Sequence, residues 1–127
     1  MGPGRVQSAV RAAVQPGNSL PTPTRRGQFS VAEYTAEAAV LLLGTKQTRT
    51  PLPWAAFEEA PGFLRGRGWV RIGGGYETVG DPETLDGFLK GYFLRATAGW
   101  VAVVLERAGV VEVDRASPAR VRLRPEW

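Results

Sequence analysis

Thr97-Ala98-Gly99-Trp100-Val101-Ala102-Val103-Val104-Leu105-Glu106-Arg107-Ala108-Gly109-Val110-Val111-Glu112-Val113-Asp114-Arg115 is the stretch on which the reading of this 127-residue chain turns. Its first half predicts a helix over residues 97–108. Thr97 suits the N-cap, where a side-chain oxygen accepts from a first-turn amide. Gly109 suits the left-handed residue that ends a helix. Ala98, Val101 or Ala102, and Leu105 form the inward stripe. The second half predicts a strand, because Val111 and Val113 alternate with Glu112 and Asp114. Downstream, Val121 and Leu123 alternate with Arg120, Arg122 and Arg124, and the turn falls near Ala116, Ser117 and Pro118. Period-two alternation on both arms indicates a half-buried antiparallel hairpin.

A second helix is predicted upstream. Asp81 suits its N-cap and Pro82 its first helical position, where the missing amide costs nothing. Leu85, Phe88, Leu89, Tyr92 and Phe93 recur at spacings of three and four, giving one apolar face. Two short helices, a tight corner and a hairpin follow in that order. The run from Thr97 to Arg115, with Ser117 to Leu123, resembles the recognition helix and wing of winged-helix transcription regulators, over roughly the last third of the chain. The resemblance implies an α+β winged helix-turn-helix domain of three or four helices, with a C-terminal hairpin wing. It also implies binding to double-stranded DNA, as a small regulator or as the recognition module of a DNA-processing system. The implied contacts are Arg95, Thr97 and Trp100 at the start of the helix over residues 97–108, and Arg115, Arg120 and Arg122 on the wing.

One feature of the residues pulls the other way. Reading bases needs polar side chains that reach their edges, and Trp100, Val103 and Val104 supply none. A helix apolar on all sides is normally covered. The alternative is therefore a protein-interaction or dimerisation module. Trp100, Val103 and Val104 would form its interface, with Trp69 as a further aromatic anchor.

Towards the N-terminus, residues 28–127 read as the domain and residues 1–27 as a flexible basic leader. Val6, Val10 and Val14 would lie on one face of a brief helix in that leader. Arg25 and Arg26 would form an arm that touches phosphate. Ser30 to Glu33 fits a capping box and predicts a helix from Phe29 to Leu43, stopped at Gly44. Thr48 to Thr50 reads as a short strand or an extended linker, and Pro53 to Ala60 as a short helix ended by Pro61-Gly62. Trp69 to Ile72 has strand character and leads into Gly73 to Gly75. That stretch admits two readings: a strand with Trp69 in the core, or a nucleic-acid contact through Arg67, Trp69, Arg71 and Tyr76. Glycine-loop nucleotide binding is disfavoured, because neither phosphate-binding glycine motif is present.

Composition narrows the chemistry. The chain has no cysteine and no histidine. That removes disulfides, thiolate metal sites, and nucleophilic triads that depend on imidazole. No acidic pair carries a metal-nuclease pattern, so the expectation is a non-enzyme without cofactor or metal. The longest apolar run, Ala38 to Leu43, is far too short to span a bilayer, and a cytoplasmic, membrane-free protein is expected. The formal charge is +4. Arg5, Arg11, Arg25 and Arg26 account for all of it, since the remainder holds equal numbers of acids and bases. Lys46 and Lys90 are the only lysines. Such Arg-, Ala-, Gly- and Val-rich usage is what a GC-rich, bacterial-like genome encodes.

Overall fold

The described residues of the N-terminal segment are folded. In the computed structural model, which describes residues 4–23, 27–73, 79–116 and 118–127, Arg5–Ala13 form helix α1. Its Val6 and Val10, and Val14 just beyond it, are buried in the common core. Three valines spaced by four make a stripe, and α1 lays it against two other helices of the chain. Strand β1 (Ser19–Pro21) follows and pairs with β2 (Gln28–Tyr34). The described part of the expected flexible leader is thus a helix and a strand. The expected arm residues Arg25 and Arg26 lie outside the described residues.

The helix expected from Phe29 to Leu43 is instead a pair of strands. Strand β2 turns at Thr35 and returns as β3 (Ala38–Leu43). Phe29 and Val31 alternate inward, and Ala39, Leu41 and Leu43 do the same on β3. A short apolar run fits either period, and the surroundings decide. Here Thr35 closes the corner: its Oγ1 accepts from the amide of Ala38 at 3.0 Å, and its amide donates to the Ala38 carbonyl at 2.9 Å. Ser30, expected as a helix cap, pairs across the sheet with Ser19 and Leu42. Gly44 ends β3 with φ +72° and starts a hairpin turn, not a helix terminus. Strand β4 (Thr48–Pro53) completes an antiparallel meander in the order β1-β2-β3-β4. Pro51 and Pro53 are tolerated because β4 is an edge strand, where a missing amide breaks no ladder.

Helix α2 (Trp54–Leu64) begins directly after Pro53 and continues through Pro61, beyond its expected end at Ala60. Leu64 is buried at its last position. Strand β5 (Val70–Arg71) follows. Helix α3 is only Leu85–Leu89, shorter than expected, and its cap is Thr84 and not Asp81. Thr84 Oγ1 accepts from the Gly87 amide at 3.0 Å. Asp81 instead accepts from the Glu83 amide within the preceding turn. A Cβ on Gly87 would sit 2.1 Å from the Asp81 carbonyl oxygen, so this close approach requires glycine.

Helix α4 (Ala98–Arg107) and the hairpin β6 (Val111–Asp114) and β7 (Arg120–Leu123) fall where the sequence puts them. Gly109 ends α4 with φ +78°. Strand β5 joins the hairpin on its β7 side, giving a second antiparallel sheet in the order β5-β7-β6. The described residues therefore form an α+β fold of four helices and two antiparallel sheets. One hydrophobic cluster runs through α1, the meander, α2, α4 and the hairpin.

Candidate functional site

Helix α4 is the centre of the molecule, not an edge. Val101, Ala102, Val103, Val104 and Leu105 are each 0% exposed. They are covered from within the chain, by α1, α3 and β6. This corrects both sequence expectations for the helix. Val103 and Val104 offer no face to a partner, and no continuous exposed face of α4 can enter a DNA groove. Thr97 is buried too, and Trp100 half-buried. The segment read as a leader supplies part of the cover, which is why the apolar excess of α4 pointed to a missing partner.

The hairpin arginines lie on an open surface, and each has an acidic neighbour. Cross-strand register pairs Arg122 with Glu112 and Arg120 with Asp114 on β6, and Arg120 with Arg71 on β5. Arg122 holds Glu112 through two hydrogen bonds, at 2.9 and 2.5 Å, and Arg120 holds Asp114 at 2.7 Å. The Ala116 amide and then Arg120 keep the Asp114 carboxyl below its ordinary value. Trp69, the residue before β5, is not core. It is 37% exposed, with the Arg122 guanidinium 4.4 Å and that of Arg120 5.5 Å from its ring centroid. Alternation explains the arrangement: Val70 and Val121 point inward, so their neighbours point outward together. The result is a solvent-facing row of tryptophan, arginine and glutamate beside a row of two arginines and an aspartate.

Arginines continue on both sides of this face. One shallow concavity, of about 380 Å³, is lined by Arg65, Arg122, Arg124 and Trp127 among others. A second, of about 300 Å³, is lined by Arg67, Trp69 and Arg71, with Asp81 and Glu83. Arg67 pairs with Glu83 at 2.6 Å. Arg115 takes no part. It turns back to α4 and grips Glu106 through two bonds, at 2.8 and 2.6 Å, which raise its guanidinium above its ordinary value.

Comparison of the chain with family models, with curated proteins and with solved structures finds no match. The residues must therefore speak for themselves. Among the described residues no group of three or more acids could hold a metal ion, and no helix is long and apolar enough to cross a membrane.

Apart from Arg115, and from Arg25 and Arg26 outside the described residues, the expected contact residues with any exposure separate into two places. Trp69, Arg120 and Arg122 form the hairpin face. Arg95, Thr97 and Trp100 line a different pocket, of about 240 Å³, at the start of α4. Its far wall is Leu43, Gly44, Thr48 and Thr50, from the β3–β4 hairpin. Sequence reasoning missed that wall because it placed Leu43 at the end of a helix. Arg65 and Arg124 were also missed, although the alternation that singles out Arg120 and Arg122 extends to Arg124.

Proposed function

We propose that residues 54–124 form a winged-helix-type unit and that the chain binds double-stranded DNA through phosphates, without reading bases. Three helices, α2, α3 and α4, precede a hairpin to which β5 adds a third strand. That layout supports the winged-helix reading. The observation that carries the DNA reading is the face where Arg120 and Arg122 stand over Trp69, flanked by Arg65, Arg67, Arg71 and Arg124. An arginine-rich surface with an exposed aromatic is the footprint of nucleic-acid contact. The ion pairs on this face are not a serious obstacle, because exposed pairs contribute only about 0–1 kcal/mol and a phosphate can replace the carboxylate. With α4 covered, affinity comes from charge and is strongly salt-dependent. Such a chain would serve as a small cytoplasmic regulator or as the recognition module of a DNA-processing system, and not as an enzyme.

The test is titration of a duplex with the full chain at several salt concentrations. R120Q/R122Q is expected to weaken binding to all sequences alike and to lower the salt slope by about 1.8, two phosphate contacts at roughly 0.9 each. Glu112→Gln, which frees Arg122, is expected to tighten binding. Unchanged binding and slope in R120Q/R122Q would refute the assignment.

A protein-interaction role has its own support, at a different place from the one the sequence suggested. Phe63 and Phe88 stack with centroids 4.7 Å apart, Tyr92 packs on Phe88, and all three are partly exposed. Absence of DNA binding together with concentration-dependent self-association, abolished by Phe88→Ser, would favour that role.

A further inference from the structure

The indole of Trp69 has two faces, and the chain occupies one of them. Strand β5 is the edge of its sheet, in the order β5-β7-β6. Both guanidiniums that stand over the ring, those of Arg122 and Arg120, come from β7 and so from one side. The opposite ring face looks away from the sheet, past the free edge. There Trp69, 37% exposed, is a wall of the recess of about 300 Å³, which neither Arg120 nor Arg122 lines. Val70 is buried beside it and pairs with Val121, which fixes the ring's place on the edge.

The rest of the recess is polar and balanced. Among the described residues its charged lining is Arg67 and Arg71 against Asp81 and Glu83. Arg67 is held at both ends of its guanidinium: Nε donates to the Phe63 carbonyl at 2.6 Å, and Nη1 donates to Glu83 at 2.6 Å. Asp81 accepts from the Glu83 amide at 2.9 Å. Two cations against two carboxylates give a phosphate little reason to enter. An aromatic wall facing fixed donors and acceptors suits a flat, neutral, polar heterocycle. The other side of Trp69 has the reverse character. There Arg65, Arg122 and Arg124 line the larger concavity, with no Asp or Glu among the described lining. A nucleotide carries both kinds of group, a neutral base and a charged phosphate, and Trp69 stands between a place for each.

We propose that the recess takes one unpaired base, stacked on the free face of Trp69, while the phosphates of the same strand run over Arg120 and Arg122. The proposal rests on the DNA reading above and narrows its substrate to a duplex that carries an unpaired nucleotide, as in a single-stranded tail. Paired bases stack on one another and leave no face for an indole. Stacking tolerates any base, in keeping with contact that reads no sequence.

The experiment is a titration of the full chain with a blunt duplex, with the same duplex bearing a single-stranded thymine tail, and with one bearing an abasic tail. The abasic tail has the same phosphates and no bases. The thymine tail is expected to bind about 10-fold tighter than the abasic tail, as one stacked base supplies. Trp69→Ala is expected to abolish that preference, and Trp69→Phe, which keeps a smaller ring, to retain part of it. R120Q/R122Q is expected to weaken all three DNAs and to keep the preference. A fluorescent base analogue in the tail is expected to be quenched on binding, and Trp69→Ala to lift the quenching. Binding of the blunt duplex with equal affinity for the two tails would overturn the recess and leave the phosphate reading standing. A preference that survives Trp69→Ala would overturn the recess as well, and failure to bind any of the DNAs would overturn both readings.

Discussion

Tyr34 shows how much one hydroxyl can tie together. Its Oη donates to the Val14 carbonyl at 2.7 Å, so β2 holds the chain that leaves α1. Its ring lies 5.5 Å from that of Trp54. Burial pushes the phenol up to about 12, partly offset by the nearby Arg11 guanidinium. The sign of the consequence follows. Between pH 10 and 12 the unfolded chain loses this proton and the folded chain keeps it, so stability present below pH 10 is lost as pH rises through 12. Tyr34→Phe is expected to remove this alkaline loss and to cost about 1 kcal/mol at pH 7 for the hydrogen bond. Urea midpoints of both proteins at pH 7 and pH 11 measure the two effects separately. At this same scale the sequence was legible for Arg120 and Arg122, whose alternation with valine predicts both their outward aim and their pairing with Glu112 and Asp114. It was not legible for Trp69. A tryptophan beside a valine reads equally as core or as an exposed contact, and only the inward turn of Val70 decides for the surface.

Elements differ in how plainly they are written. Helix α4 and its hairpin could be read because Thr97, Gly109 and two alternating arms all give the same answer. Strands β2 and β3 could not, because Ser30 and Glu33 imitate a capping box and Val40 to Leu43 fit either period. What decides is the Thr35 corner together with pairing partners far along the chain, and neither has a local signature. Helix α1 was legible as a helix but not as a buried one. A nine-residue helix is too short to stand by itself in water, and it persists because others hold it. Glu58 of α2 does part of that work: its carboxylate accepts from the amides of Val6, at 3.2 Å, and Gln7, at 2.6 Å. It acts as an N-cap supplied from another element. Glu58→Ala is expected to cost about 1 kcal/mol, as for loss of a cap residue. Hydrogen exchange should rise in α1 first, with α4 following only to the extent that α1 opens. Uniform acceleration across the whole chain would argue against this local role.

For the whole molecule, the decisive fact is that a helix apolar on all sides is satisfied inside one chain. The sequence exposed the need for a cover but not its full source, because β6 and α3 lie nearby while the rest of the cover comes from α1, about ninety positions away. Removing residues 4–14 is expected to uncover the side of α4 that α1 covers, an apolar surface that folded monomers do not tolerate. The shortened chain should bind a hydrophobic dye and associate, while the full chain remains dye-silent; a monomeric, dye-silent truncation would show that α1 is dispensable. DNA measurements on such a truncation would therefore report on a damaged core as well as on lost arginines. The hairpin substitutions are the cleaner probe.

The docking of α1 on α2 and α4 also sets a timetable. On the ribosome, residues 5–13 emerge before either helix they lie against. Until Leu105 has left the tunnel, the valine stripe has no complete seat. Long-range closure of this kind slows folding and leaves apolar segments waiting during synthesis. Residues 5–13 are made before the helices they lie against, and they are among the last of the core to find their place.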